Sequence, residues 1–147
     1  MTQEQHRRSE RGNATIQLAI LAPALLAFTL LCVAAGRIFL AVQAVDAAAF
    51  DAARTASIAR SAHAANTAAR STALNTLTNR QLRCVQQQVS VNTAGFSLPP
   101  GTPASVQVTL RCELNLSDIA LPGLPSTMTV TSAAGSAIDT FRERGTR

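Results

Sequence analysis

The sequence of 147 residues contains no lysine, tryptophan or tyrosine, and its 3% aromatic content is entirely phenylalanine. Without larger aromatics, we expect a core of small aliphatic side chains. Sites for single-stranded nucleic acid interleave basic side chains with stacking aromatic rings. The arginines in the middle of this chain stand singly, without such partners, at Arg54, Arg60, Arg70, Arg80 and Arg83. This spacing indicates solvated side chains and argues against nucleic acid as a partner, despite the net charge of +5.

The sequence also lacks the residue groupings from which catalytic and metal sites are built. His6 and His63 have no second ligand at metal-binding spacing. Asp46 and Asp51 are five residues apart, so they do not share a helix face. There is no glycine-rich phosphate loop and no nucleophile elbow. We therefore expect no enzymatic activity, no cofactor and no small-molecule substrate.

A long uncharged stretch near the N-terminus is the clearest positive feature. The 23 residues from Ala14 to Gly36 carry no charge; as a helix they extend about 35 Å, enough to cross a bilayer core of about 30 Å. The preceding leader contains Arg7, Arg8 and Arg11, and basic flanks stay in the cytoplasm. We predict a cytoplasmic leader at residues 1–12, a transmembrane helix at 13–36 in contact with lipid, and an extracytoplasmic remainder.

A cleaved secretory signal is the first alternative, because small residues suited to cleavage occur around Val33-Ala34-Ala35. The apolar region of such signals is usually about 7–15 residues long, shorter than the stretch here, which favours an uncleaved span. The alternative of a signal-anchored or secreted cell-envelope protein of unknown binding role stays open. We interpret Cys32, inside the apolar stretch, as a small apolar filler and not as a lipidation site.

The remainder of the sequence predicts a helix followed by strands. Alanine dominates from Arg37 to about Asn79 without proline or glycine, which predicts that the helix continues through residues 37–80. Apolar residues alternate around Val85–Val91 and Val106–Leu114, and a third strand is predicted from Thr127 to about Ser132, with a possible extension to Ile138. The fold class is α+β: a long N-terminal helix, a small antiparallel sheet at residues 81–140, and a frayed tail at 141–147.

The two cysteines of the predicted outer domain suggest a disulfide. Cys84 opens the first predicted strand and Cys112 closes the second, so a hairpin brings them together in a compartment where disulfides persist. If the two faced each other across the strands, Val89 would point away from the apolar side of Val108. Either a β-bulge or a position of Cys84 in the helix-to-strand turn would resolve this conflict.

The junction Arg11-Gly12-Asn13-Ala14-Thr15-Ile16-Gln17, with Pro23 six residues further on, resembles the leader of TadE-like pseudopilins, the type IV pilus-like proteins of tight-adherence systems. The Leu121-Pro122-Gly123-Leu124-Pro125 stretch, the strand after it and the end Asp139-Thr140-Phe141-Arg142 are similar to the tail of that family. Taken together, the leader and tail motifs extend the resemblance over nearly the whole chain. The paired cysteines and arginine-only, alanine-rich composition are similar to actinobacterial members.

The resemblance implies a non-catalytic, pilin-like minor pilin that is cut by a prepilin peptidase between Gly12 and Asn13. Its other partners would be pilins, pseudopilins and the pilus assembly platform. Pro23 lacks an N–H and should kink the helix within the bilayer. A membrane-tethered DNA-binding protein is a third possibility, which depends on the scattered arginines alone.

Gln17 departs from the family pattern, in which this position usually holds Glu. In pilins that carboxylate is thought to neutralise the N-terminal amine of a neighbouring subunit. Gln17 can accept a hydrogen bond from an amine but supplies no charge, while an unpaired Glu in lipid is costly. The departure therefore suggests a minor, initiating or anchoring role rather than that of a repeating shaft subunit.

Overall fold

The computed structural model describes the backbone of residues 3–16 and all of residues 17–117 and 126–141. Helix α1 spans Gln3–Ser57 and helix α2 spans Ala62–Asn79. Strand β1 (Gln86–Asn92), a 3₁₀ turn (Ala94–Ser97), strand β2 (Ala104–Asn115) and strand β3 (Thr127–Ile138) follow. The sheet is antiparallel in the order β1-β2-β3. The predicted α+β class is confirmed, and β3 extends past Gly135 to Ile138.

The chain divides into two compact units, Met1–Arg37 and Ile38–Arg147. In the second unit, α1, α2 and one face of the sheet form a single hydrophobic core. Small side chains predominate in it, as the sequence predicts, and its largest fully buried members are Leu77, Leu110, Val45, Val106, Val108 and Cys112. Among the phenylalanines of the described residues, only Phe96 is buried.

The prediction of one continuous helix through residues 37–80 is wrong, because the helix is interrupted between Ser57 and Ala62. The Ser57 hydroxyl donates to the carbonyl of Arg54 at 2.8 Å and accepts a hydrogen bond from Ser136 Oγ at 3.0 Å. Ser61 then caps α2, its side chain accepting from the Ala64 N–H at 3.2 Å. Serine hydroxyls compete with helical backbone bonds and favour caps, an effect that alanine content alone does not reveal.

The C-terminus of α2 is closed by a Schellman motif. The Leu82 N–H donates to the Leu77 carbonyl at 3.0 Å, and the Gln81 N–H donates to the Thr78 carbonyl at 2.9 Å. Gln81 has φ +57°, the left-handed conformation that this motif requires. Leu82 and Leu77 both pack in the core, so the motif turns the chain back toward the sheet.

The strand register resolves the conflict over the cysteines. Val89 pairs with Leu110 and Val91 with Val108, so the apolar side chains share one face of the sheet. Cys84 lies two residues before β1, in the helix-to-strand connection, and forms a disulfide bond with Cys112, with a Cα–Cα distance of 5.3 Å. Of the two solutions offered by the sequence, the turn position is therefore the one adopted.

A glycine permits the close packing of the 3₁₀ turn against the strands. A Cβ atom on Gly95 would lie 2.7 Å from the backbone oxygen of Ser105 and 3.0 Å from Cδ1 of Ile138. The backbone contact has no flexible side chain that could move aside. Gly95 thus fixes the turn at the point where β2 begins and β3 ends.

Replacing Cys84 and Cys112 with alanine should lower the free energy of unfolding. For cysteines separated by 28 residues, the chain-entropy model gives about 3–4 kcal/mol. Denaturant unfolding of the full chain in detergent measures the difference, and Cys32→Ala, outside the core, serves as the control with little expected change. Mass spectrometry of the purified protein before and after reduction provides the covalent test. Two free thiols at Cys84 and Cys112 in the oxidised sample would contradict the disulfide.

Candidate assembly segment

Residues 17–36 of α1 are uncharged and predominantly apolar on all sides, and almost all of their side chains are exposed. Within residues 17–37, Ala34 is the only buried residue. The large apolar side chains of this segment are all exposed, namely Leu18, Ile20, Leu21, Leu25, Leu26, Phe28, Leu30, Leu31 and Val33. A helix that is hydrophobic all round needs an apolar environment such as lipid or a partner helix.

By length and composition, this helix is sufficient to span a membrane. Among the described residues, the helical range Gln17–Ser57 contains one candidate span, near the N-terminus. Only 6% of its most apolar stretch is buried, unlike the core helix of a soluble protein. The helix is therefore a candidate membrane anchor.

The character of α1 changes after Arg37. From residue 41 to residue 56, one face is buried in the core and consists of Val45 and alanines. These alanines are Ala41, Ala44, Ala48, Ala49, Ala52, Ala53 and Ala56. The small residues on this face of α1 thus pack within the protein's own domain.

The exposed side of the same stretch was not singled out from the sequence. Phe39 is 63% exposed and Phe50 is 59% exposed, and Asp46 and Arg54 are exposed near them in sequence. The sequence does contain a pattern that predicts this surface. Phe39, Asp46 and Phe50 are seven and four residues apart, which places them on one side of the helix, opposite to the alanines. Two aromatic side chains on the outer surface enlarge the area through which α1 can contact a partner.

The predicted processing and assembly residues all lie on α1. Gly12 and Asn13 fall within its described backbone, Gln17 has an exposed side chain, and Pro23 lies inside the helix. The helix continues through Pro23, although proline has no N–H to donate to the carbonyl of Ala19. These four residues belong to the first unit, whereas the disulfide belongs to the second.

The described residues outside this segment offer little for chemistry. Among them, no three His, Cys, Asp or Glu side chains are grouped so as to hold a metal ion. The arginines predicted to be solvated are exposed, and Arg70 donates from Nε to Asn66 Oδ1 at 2.7 Å. What the arrangement supports is insertion into an apolar phase and side-by-side packing along α1.

Comparison with known families gives one finding, a match of residues 12–54 to the model of the TadE-like protein family. The matched region begins at Gly12, includes Gln17 and Pro23, and ends within the buried stretch of α1. The resemblance is thus found in less of the chain than the sequence motifs suggest, because the match does not extend to α2 or the sheet. Comparison with curated proteins and with solved structures yields no match.

Proposed function

We propose that this protein is a TadE-like minor pilin or pseudopilin that takes part in assembly of a tight-adherence pilus. The observation that carries the proposal is the coincidence of the family match with the exposed apolar helix. The match begins at Gly12, the residue after which a prepilin peptidase would cut. It then runs through the part of α1 whose large apolar side chains are exposed. The protein acts by packing and not by catalysis.

In this proposal α1 has two consecutive tasks. Before assembly, residues 13–36 hold the chain in the membrane with the N-terminus in the cytoplasm, where Arg7, Arg8 and Arg11 favour retention. After cleavage, the same apolar surface packs against helices of other pilins and of the assembly platform. Lipid before assembly, and neighbouring helices after it, keep the exposed leucines out of water.

The identity of the mature N-terminus tests the proposal. Intact-mass and N-terminal analysis of the membrane-associated protein should give Asn13, with residues 1–12 removed. Gly12→Val should block this cleavage, because a branched side chain prevents close approach of the peptidase to the backbone. Gly36→Val is the matched control, since a Cβ there meets nothing within 4 Å, and it should be processed normally. A terminus at Met1 or at Gly36 in the unaltered protein would instead support a plain anchor or a cleaved signal.

The role of Gln17 is tested by Gln17→Glu. A carboxylate at this position would compensate the new amine of a neighbouring subunit, so incorporation into the assembled fraction should stay equal or increase. The measurement is the proportion of mature protein that co-purifies with sheared pili rather than with membranes. Gln43→Glu, an exposed position on α1 beyond the span, is the control for added negative charge. Loss of both export and assembly in Gln17→Glu alone would overturn the anchoring interpretation.

A further inference from the structure

The two edges of the sheet carry no charge. The charged residues of the three strands are Arg111 and Glu113, and both lie on the central strand β2. β1 and β3 contain no charged residue and no proline. Proteins commonly protect exposed edge strands with charges, prolines, bulges or short length. In this sheet the charged residues lie on the central strand and not on the edge strands, which leaves the edges suited to pairing with another strand.

The outer backbone of both edge strands is open within the described part of the chain. β3 pairs with β2 residue for residue from Thr127 to Ile138, without a bulge. β1 pairs with β2 in the same unbroken way from Gln86 to Asn92. No hydrogen bond from another described residue reaches the outer backbone of either strand, although α2 approaches β1. Among the described residues, both edges therefore present rows of backbone donors and acceptors without a partner strand.

We propose that β1 of a second copy of this chain adds to the outer edge of β3 in parallel orientation. Continuity of the core-facing side supports this pairing. Val89 and Val91 mark that side of β1, and Val130 and Ile138 mark it on β3. A parallel register that aligns the two sides extends one three-stranded sheet into the next, with the helices of both copies on the same face.

The orientation follows from α1 and rests on the membrane anchoring in the proposed function. An antiparallel pair of two β3 strands with a continuous core face needs a two-fold axis perpendicular to the sheet. That axis reverses the part of α1 that packs on the sheet, residues 41–56, and places Ile38 of the two copies at opposite ends of the pair. Two chains anchored in one membrane need both of these ends on the same side. Parallel addition of β1 to β3 satisfies this requirement.

The pairing has the size of a weak contact. Seven residues of β1 supply about one backbone hydrogen bond each, and a single strand pair falls below the roughly 1,200 Å² of stable interfaces. Confinement of both copies to a membrane raises their effective concentration and favours such a contact. We therefore expect the pair in membranes and not in dilute detergent.

Cysteine cross-linking of the full chain in membranes tests the pairing. In a Cys32→Ser background with the Cys84–Cys112 bond retained, two differently tagged copies are co-expressed. One carries Ser90→Cys or Gln88→Cys in β1, and the other carries Thr129→Cys, Thr131→Cys or Ala133→Cys in β3. These five side chains are exposed on the open face of the sheet, and neighbouring strands about 4.8 Å apart bring such positions within disulfide reach. Gln107→Cys, exposed on the central strand, is the matched control.

The expected result is a cross-linked dimer containing both tags for at least one β1–β3 combination, and none with Gln107→Cys. Addition of Ala133→Lys to the Thr131→Cys chain should abolish that dimer, whereas Gln107→Lys should not. A dimer from Thr131→Cys or Ala133→Cys alone would show antiparallel self-pairing and overturn the proposal, as would the absence of a dimer from every combination. An Asn13 terminus in the same samples keeps such a failure separate from the proposed function.

Discussion

The close approach of alanine surfaces is the constraint on which the folded domain depends. Seven buried alanines on α1 between residues 41 and 56, and Ala65, Ala69 and Ala73 on α2, allow the helices and the sheet to share one core. Burial of one methyl group removes little apolar area from water and contributes only about 0.8 kcal/mol to stability. Such a core relies on close packing rather than on bulk, so other restraints become important. The disulfide, the Schellman motif after α2 and the Gly95 contact each fix a connection around it.

The same helix serves two environments. After Arg37 its alanine face is buried in the protein's own domain, while before Arg37 the large apolar side chains of its described residues are exposed. The match to the TadE-like family spans residues 12–54 and so includes both parts of α1 but not the sheet. The match therefore includes the exposed apolar segment on which the proposed assembly role is based.

The sequence was sufficient where periodicity or composition acts over many residues. The apolar span, the alternation in β1 and β2 and the small-residue core all follow from such patterns. It was insufficient where a single hydroxyl or dihedral decides the outcome. The break at residues 58–61 depends on Ser57 and Ser61, and the left-handed Gln81 occupies a position that usually favours glycine. The site residues Gly12, Asn13, Gln17 and Pro23 came from a motif, whereas the exposed Phe39 and Phe50 were recognised once the buried face was known.

Ala→Leu substitutions at neighbouring positions measure the central claim most directly. Ala65 is fully buried and Ala64 beside it is exposed, so Ala65→Leu and Ala64→Leu differ in environment but not in chemistry. Overpacking a filled core costs about 1–3 kcal/mol, which we expect for Ala65→Leu and for Ala52→Leu on α1. Ala64→Leu should unfold in denaturant at the same midpoint as the unaltered full chain in detergent. Equal stability of all three variants would show that the helices do not depend on close alanine contact.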